Sequence, residues 1–190
     1  LDRWVLIAPC RAARPIAFAR ENGVIESTHC PFCEGHEGDT PPEHLAYRKK
    51  GMPANGPGWT VRVVPNQYPA VAQWDCAGET LCDPSESSSS TLEPVSWEDS
   101  DDPLYRSVSA AGVHEVIVET PRHTSLTGEE FPEQLADTLR AYRDRLLEIK
   151  AKTPARAALI FKNVGRSAGA SMPHSHSQLI ATQAVPWFLA

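Results

Sequence analysis

AALIFKNVGRSAGASMPHSHSQLI, residues 157–180, decides the architecture of this chain. Ala157 to Phe161 is a short apolar run bounded by polar residues, which reads as a strand. From His174 onward, two histidines and a glutamine alternate with serines, and apolar Leu179, Ile180 and Ala181 follow, which reads as a second strand. Only about a dozen residues, with glycines at 165 and 169, join the two, which favours antiparallel pairing over a crossover connection. In an extended strand, side chains two apart share a face. His174, His176 and Gln178 are therefore predicted to point into one site. One imidazole can hold a metal while the next attacks a phosphorus, and the glutamine amide can bond phosphoryl oxygens. Asn163 and Ser171 bracket the glycine-rich loop, whose backbone amides can cradle an anion.

Working outward, the apolar positions Leu135, Leu139, Tyr142, Leu146 and Ile149 recur at helical spacing. Pro132 suits a first turn, Glu133 the positive end of the dipole, Lys150 and Lys152 the other end, and Pro154 a stop. This helix is expected to be structural, with that stripe in the core. Val113 to Glu119 and Trp59 to Val64 read as strands, and Arg3 to Ala8 as a short one. His114, inside a strand pattern, is read as structural. Residues from about 74 to 107 are acidic and serine-rich, including Ser87 to Ser90. Such a stretch cannot bury enough apolar surface to offset its ordering entropy. A flexible insertion is expected there, with Cys76 and Cys82 as bystanders. The order of elements gives an α+β class, an antiparallel sheet with one long packing helix, and neither a Gly-x-Gly-x-x-Gly nor a phosphate-loop motif occurs.

The 190 residues fit one domain, and 41% of them are hydrophobic against 22% charged, enough for a real core. A net charge of −6 argues against a surface built for nucleic-acid backbone. No apolar run is long enough to span a bilayer, and no basic-then-apolar leader opens the chain. Leu1 in place of methionine is what a trimmed or partial chain would show. Five cysteines, an odd number, suit a reducing compartment better than a disulfide framework, so the cytoplasm is expected.

Cys30-Pro-Phe-Cys33 can place two thiolates on one tetrahedral zinc. The spacing also occurs in thiol–disulfide exchange, but no helix clearly begins at the first cysteine to lower its pKa. Zinc needs about two more ligands. His29, His36, His44, His114, His123 and His174 all compete, with His36 the local rival. Arg11 and Arg14 flank a turn and can grip phosphate or carboxylate through paired donors, or stand solvated. Asn66, after a strand and a proline, can present its amide to a ligand.

Taken together, 4–15, Cys30 to Cys33, 59–69, Glu119 to His123 and Asn163 to Gln178 resemble, in order and over nearly the whole chain, the galactose-1-phosphate uridylyltransferase family of the histidine-triad superfamily. The resemblance implies a structural zinc held by Cys30, Cys33, His123 and His174, with His176 as the nucleophile. It implies Arg14, Asn66, Asn163, Ser171 and Gln178 in the nucleotide-sugar site, with 12–15 as its loop. The reaction implied is a double displacement. His176 takes UMP from UDP-glucose and passes it to galactose 1-phosphate. Hydrolytic histidine-triad enzymes carry a third histidine where Gln178 stands, which favours transfer. The common transferase signature is His-Pro-His, whereas Ser175 separates the histidines here, as in the related ADP-glucose phosphorylases, which move AMP onto phosphate. A zinc-stabilised nucleotide-binding module without chemistry is the third reading. The resemblance also implies that 1–190 is the N-terminal catalytic half, that a second, similar half is absent from this chain, and that the full-length protein is a homodimer. Its partners would be a nucleotide sugar and a sugar 1-phosphate, with no nucleic acid and no membrane.

Overall fold

β-Branched residues fill Trp59–Pro65 and Ala111–Val118, and a pleated, half-buried surface is where they pack best. These two strands form the centre of the sheet. The computed structural model describes residues 5–8, 11, 29–74, 80–81, 110–124 and 132–186. Among them the strands are β1 (Leu45–Arg48), β2 (Trp59–Pro65), β3 (Ala72–Trp74), β4 (Thr80–Leu81), β5 (Ala111–Val118), β6 (Ala157–Phe161) and β7 (His176–Thr182). Helix α1 runs Pro132–Lys152, with the bounds its end signals predict. Five strands lie in spatial order β1-β2-β5-β7-β6, each pair antiparallel. The β6–β7 pairing is the one expected from the glycine loop, which turns on left-handed Gly165 and Gly169. The α+β architecture stands, with one addition. β3 pairs in parallel with the first residues of β5, and β4 continues that edge.

One residue sets how closely β5 and β7 approach. A Cβ on Gly112 would stand 2.2 Å from the carbonyl oxygen of Ala181, so no side chain fits there.

The sheet has two different faces, assigned by period-2 alternation except at Trp59, which the register shift against β1 turns to the face opposite Val61. On one, Val61, Val63, Ile117, Leu179 and Ala181 pack against Ala141 and Ile149 of α1. On the other, Trp59, Val64, Val116 and Val118 pack under Phe32 of the cysteine loop. The helix meets the sheet through Thr138, Ala141, Arg145 and Ile149. Leu135 and Leu139, expected in the core, are 43% and 54% exposed, because the contact row passes through the neighbouring positions. Arg145 is buried instead, where its guanidinium grips Glu115 of β5 through two bonds, 2.9 and 2.5 Å long.

Two further expectations change. Residues 5–8 form no strand, and Val5 and Ile7 are exposed. Within the segment read as an insertion, Thr80–Leu81 is paired to β3, while the rest of it, with Cys76 and Cys82, lies outside the described residues.

Candidate functional site

The strand β7 begins at His176, so His174 stands just ahead of it rather than on a shared strand face. That one-step difference separates two sites. His174 turns to the cysteine loop, where its Nδ1 lies 3.6 Å from the Sγ of both Cys30 and Cys33. His123 Nδ1 lies 3.4 Å from Cys33 Sγ. The four ligand atoms all fall within 4.8 Å of one another. Zinc–sulfur and zinc–nitrogen bonds at a tetrahedral angle put S and N about 3.6 Å apart, so these residues fit that ion. The loop is shaped for it, since Cys33 N–H donates to the Cys30 carbonyl (3.1 Å) and Glu34 N–H to that of Pro121 (3.2 Å). His174 Nε2–H donates to the Thr120 carbonyl at 2.8 Å, which leaves Nδ1 as the lone-pair nitrogen, the usual brace of a metal-bound histidine. Burial pulls the His174 pKa down to about 4, so the ring is neutral near pH 7. Burial and the adjacent Cys30 push the Cys33 thiol up to about 11. Two neighbouring thiolates thus need a cation between them. Both cysteines are free of any disulfide.

His36, the local rival, is elsewhere. Its Nδ1–H donates to the Cys30 carbonyl at 2.7 Å, and its ring lies beside His29 near Asp39.

On the sheet face away from α1, His176 and Gln178 point into a cleft also lined by Phe32, Val64, Asn66, Tyr68 and Ser171. A second cavity, lined by Lys162, Asn163, Gly165 and Pro173, meets the first at Met172 and His176. The nucleophile candidate therefore stands between two chambers. His176 Nδ1–H donates to the His174 carbonyl at 2.7 Å, so the neutral ring carries its lone pair on Nε2. Phe32 packs beside it, ring centres 5.3 Å apart.

Of the other sequence candidates, Asn66, Ser171 and Gln178 share the first cleft and Asn163 lines the second. Arg11 Nη1 donates to the Tyr68 carbonyl, beside the first cleft, at 2.5 Å. Arg14 and the 12–15 loop lie outside the described residues.

Sequence reasoning missed the support behind β7. Glu119, 1% exposed, accepts hydrogen bonds from Ser175 (2.8 Å), Tyr142 (2.8 Å), Ser177 and Lys162. Lys162 also donates to Ser175 Oγ at 2.7 Å. Burial opposes ionisation of Glu119, but the bonds from Lys162 and Ser177 outweigh it and hold the carboxyl below its ordinary range. The serines flanking His176 are thus anchors. Their alternation with the histidines was the available signal.

An antiparallel sheet, one long helix and a histidine strand over a Cys2His2 cluster define a histidine-triad-like α+β domain. Residues 59–186 match the N-terminal domain of galactose-1-phosphate uridyl transferase, and the chain belongs to that family. It is 34% identical over 188 residues to an ADP-glucose phosphorylase of Arabidopsis thaliana, covering 97% of this chain and 47% of the relative. It is 26% identical over 186 residues to a galactose-1-phosphate uridylyltransferase of Thermotoga maritima, covering 97% and 45%. The crystal structure of an Arabidopsis thaliana ADP-glucose phosphorylase with bound ADP-glucose superimposes with a TM-score of 0.61 at 31% identity, covering 98% and 47%. The chain spans about half the length of the curated relatives it matches. No helix among the described residues is long and apolar enough to cross a membrane.

Proposed function

We propose that this chain carries the catalytic half-site of a nucleotidyltransferase that works through a covalent nucleotidyl-histidine. One observation carries the reading: His176, its Nδ1–H held by a backbone carbonyl, lines both cavities. Nε2 of His176 attacks the α-phosphorus of a nucleoside-diphosphate sugar. The P–N bond forms as the P–O bond to the sugar 1-phosphate breaks. An acceptor oxygen then attacks the same phosphorus and releases His176. Two easier displacements replace one hard transfer. The His174 carbonyl accepts the hydrogen bond from Nδ1–H throughout and stabilises the charge the ring acquires. Gln178, Ser171 and backbone amides of the loop after Asn163 are the donors proposed for the phosphoryl oxygens. Asn66 and Phe32 would flank the nucleoside with Arg11 beside them, and the family resemblance assigns Arg14 to the same nucleotide-sugar site.

Cys30, Cys33, His123 and His174 would hold zinc. With four protein ligands its shell is closed, so its contribution is structural. His174 would be both a ligand and, through its carbonyl, the acceptor that orients His176, so the Cys/His cluster would hold the nucleophile in place.

The higher likeness to ADP-glucose phosphorylase, 34% against 26%, and Ser175 between the histidines favour ADP-glucose as donor and phosphate as acceptor. The family match supports the second reading, UMP transfer from UDP-glucose to galactose 1-phosphate, with a place in galactose and carbohydrate metabolism. For the full-length protein the family resemblance supports a homodimer, and the cysteine count supports a cytoplasmic location.

The test is to incubate the full-length protein with ADP-glucose or UDP-glucose labelled at the α-phosphorus. Acid-labile label on the protein, absent from His176→Ala, is the expected result, and the donor that labels decides between the readings. No label from either donor would leave a binding module and reject catalysis.

A further inference from the structure

His114 has no assigned role, yet it is 1% exposed and lies against two residues that line the first cleft, Asn66 and Gln178. On β5 it is the diagonal neighbour of Gln178, whose register partner is Val116. The Ala70 backbone N–H donates to His114 Nδ1 at 2.8 Å, so that nitrogen carries the lone pair. The proton of the neutral ring then sits on Nε2, which lies 3.0 Å from Gln178 Oε1. Asn66 Nδ2 lies 3.1 Å from the same Nε2. In this tautomer both of those atoms carry hydrogens, so that approach is a cost, which the bonds from Ala70 N–H and to Gln178 Oε1 outweigh. Asn66 is oriented instead by the Tyr68 N–H, 2.9 Å from Oδ1, and by its own N–H on the His114 carbonyl, 2.9 Å.

We infer that His114 is a positioning residue: its Nε2–H fixes the amide of Gln178 so that the NH2 group, not the carbonyl, faces the cleft beside His176. A flipped amide would set N–H against N–H in a buried place, which costs about as much as an unsatisfied donor. Gln178 is thereby held as a donor, the polarity that a phosphoryl oxygen requires. This assignment rests on the nucleotidyl-transfer reading for its purpose, and on hydrogen-bond direction for its content.

Two measurements on the full-length protein test it. Single-turnover labelling of His176 at saturating donor is compared for wild type, His114→Ala, Gln178→Ala and the double variant. His114→Ala is expected to slow labelling by up to about 100-fold, the order lost with one such donor. It should add little once Gln178 is already alanine. His114→Gln, which keeps an N–H at that place, should recover part of the rate and serves if the alanine variant does not fold. Equal losses from His114→Ala in both backgrounds would overturn the inference, since a merely structural residue would act that way. Independently, 15N NMR of the histidine ring should show a protonated Nε2 and a bare Nδ1 at position 114. A protonated Nδ1 overturns the inference whatever the activity. If wild type takes no label, the functional reading falls and the ring spectrum alone decides the hydrogen-bond direction.

Discussion

Glu119 shows how single residues hold this site. Its carboxylate lies behind β7, on the side opposite His176, and joins Lys162, Ser175, Ser177 and Tyr142. Removing one partner of a buried ion pair strands the other charge, at a cost of about 3–5 kcal/mol when both are fully buried. Lys162 is 20% exposed, so water softens that penalty. Lys162→Met is expected to lower stability by about 2–3 kcal/mol, read by urea denaturation, and to slow labelling of His176 because Ser175 loses an anchor. Adding Glu119→Gln should restore part of the stability, since no charge is then left unpaired. If the double variant is weaker by the full sum of the singles, the pairing account fails. The cysteine cluster gives a second expectation at this scale. Cys33→Ser should lose about one zinc per chain by elemental analysis, while His36→Ala keeps it, because His36 serves as a donor to the Cys30 carbonyl. Zinc lost on His36→Ala alone would reject the ligand set.

At the scale of elements, β5 and β7 are the pair on which everything is mounted, and Gly112 sets their spacing. A methyl there meets backbone, not a flexible side chain, so the strands must part. Gly112→Ala is expected to cost about 2–3 kcal/mol as a lowered denaturation midpoint with an unchanged slope. A midpoint within about 0.5 kcal/mol of wild type would mean the strands yield freely. The strands β2, β5, β6 and β7 and the helix were legible in sequence because each is long enough to show its period or its end signals. The edges β1, β3 and β4, of four, three and two residues, were not, since nothing but pairing with a distant partner makes them strands. The same logic divides the site. Cys30, Cys33, His174 and His176 announce themselves by local spacing. Glu119 to Lys162 spans 43 positions and His114 to Gln178 spans 64, so their partnerships exist only once the sheet has formed. The helix stripe misled for a related reason. Leu135 and Leu139 fit the period, but Arg145 is buried because Glu115 waits opposite it.

Across the whole molecule, buried carboxylates fasten the layers to one another. Glu37 and Glu43 bind Trp59, Arg48 and Arg62 on the cysteine-loop side. On the helix side Glu115 binds Arg145 of α1 and His44, the latter at 2.6 Å. For each, burial opposes the charge, yet the hydrogen bonds and neighbouring cations prevail and hold the carboxyl below its ordinary value of 4.5. The sign of the pH effect follows. A carboxyl depressed in the folded state contributes stability that is fully present above its unfolded value and is lost as pH falls through its folded value. The contribution of these carboxylates to unfolding free energy should therefore be flat above about pH 5 and decline steadily below about 4.5, as they are forced to take protons in the folded state. Glu115→Gln isolates the buried ion pair that ties β5 to α1. At pH 7 it leaves Arg145 buried without its main partner, with Glu148 still at 2.5 Å, and is expected to cost about 3 kcal/mol. As pH drops below 4.5 the wild type loses the same interaction, so the gap between variant and wild type should narrow. Thermal unfolding of both proteins from pH 7 to pH 3 measures that convergence, and two curves that stay parallel would show that Glu115 does not carry its share of the acid response.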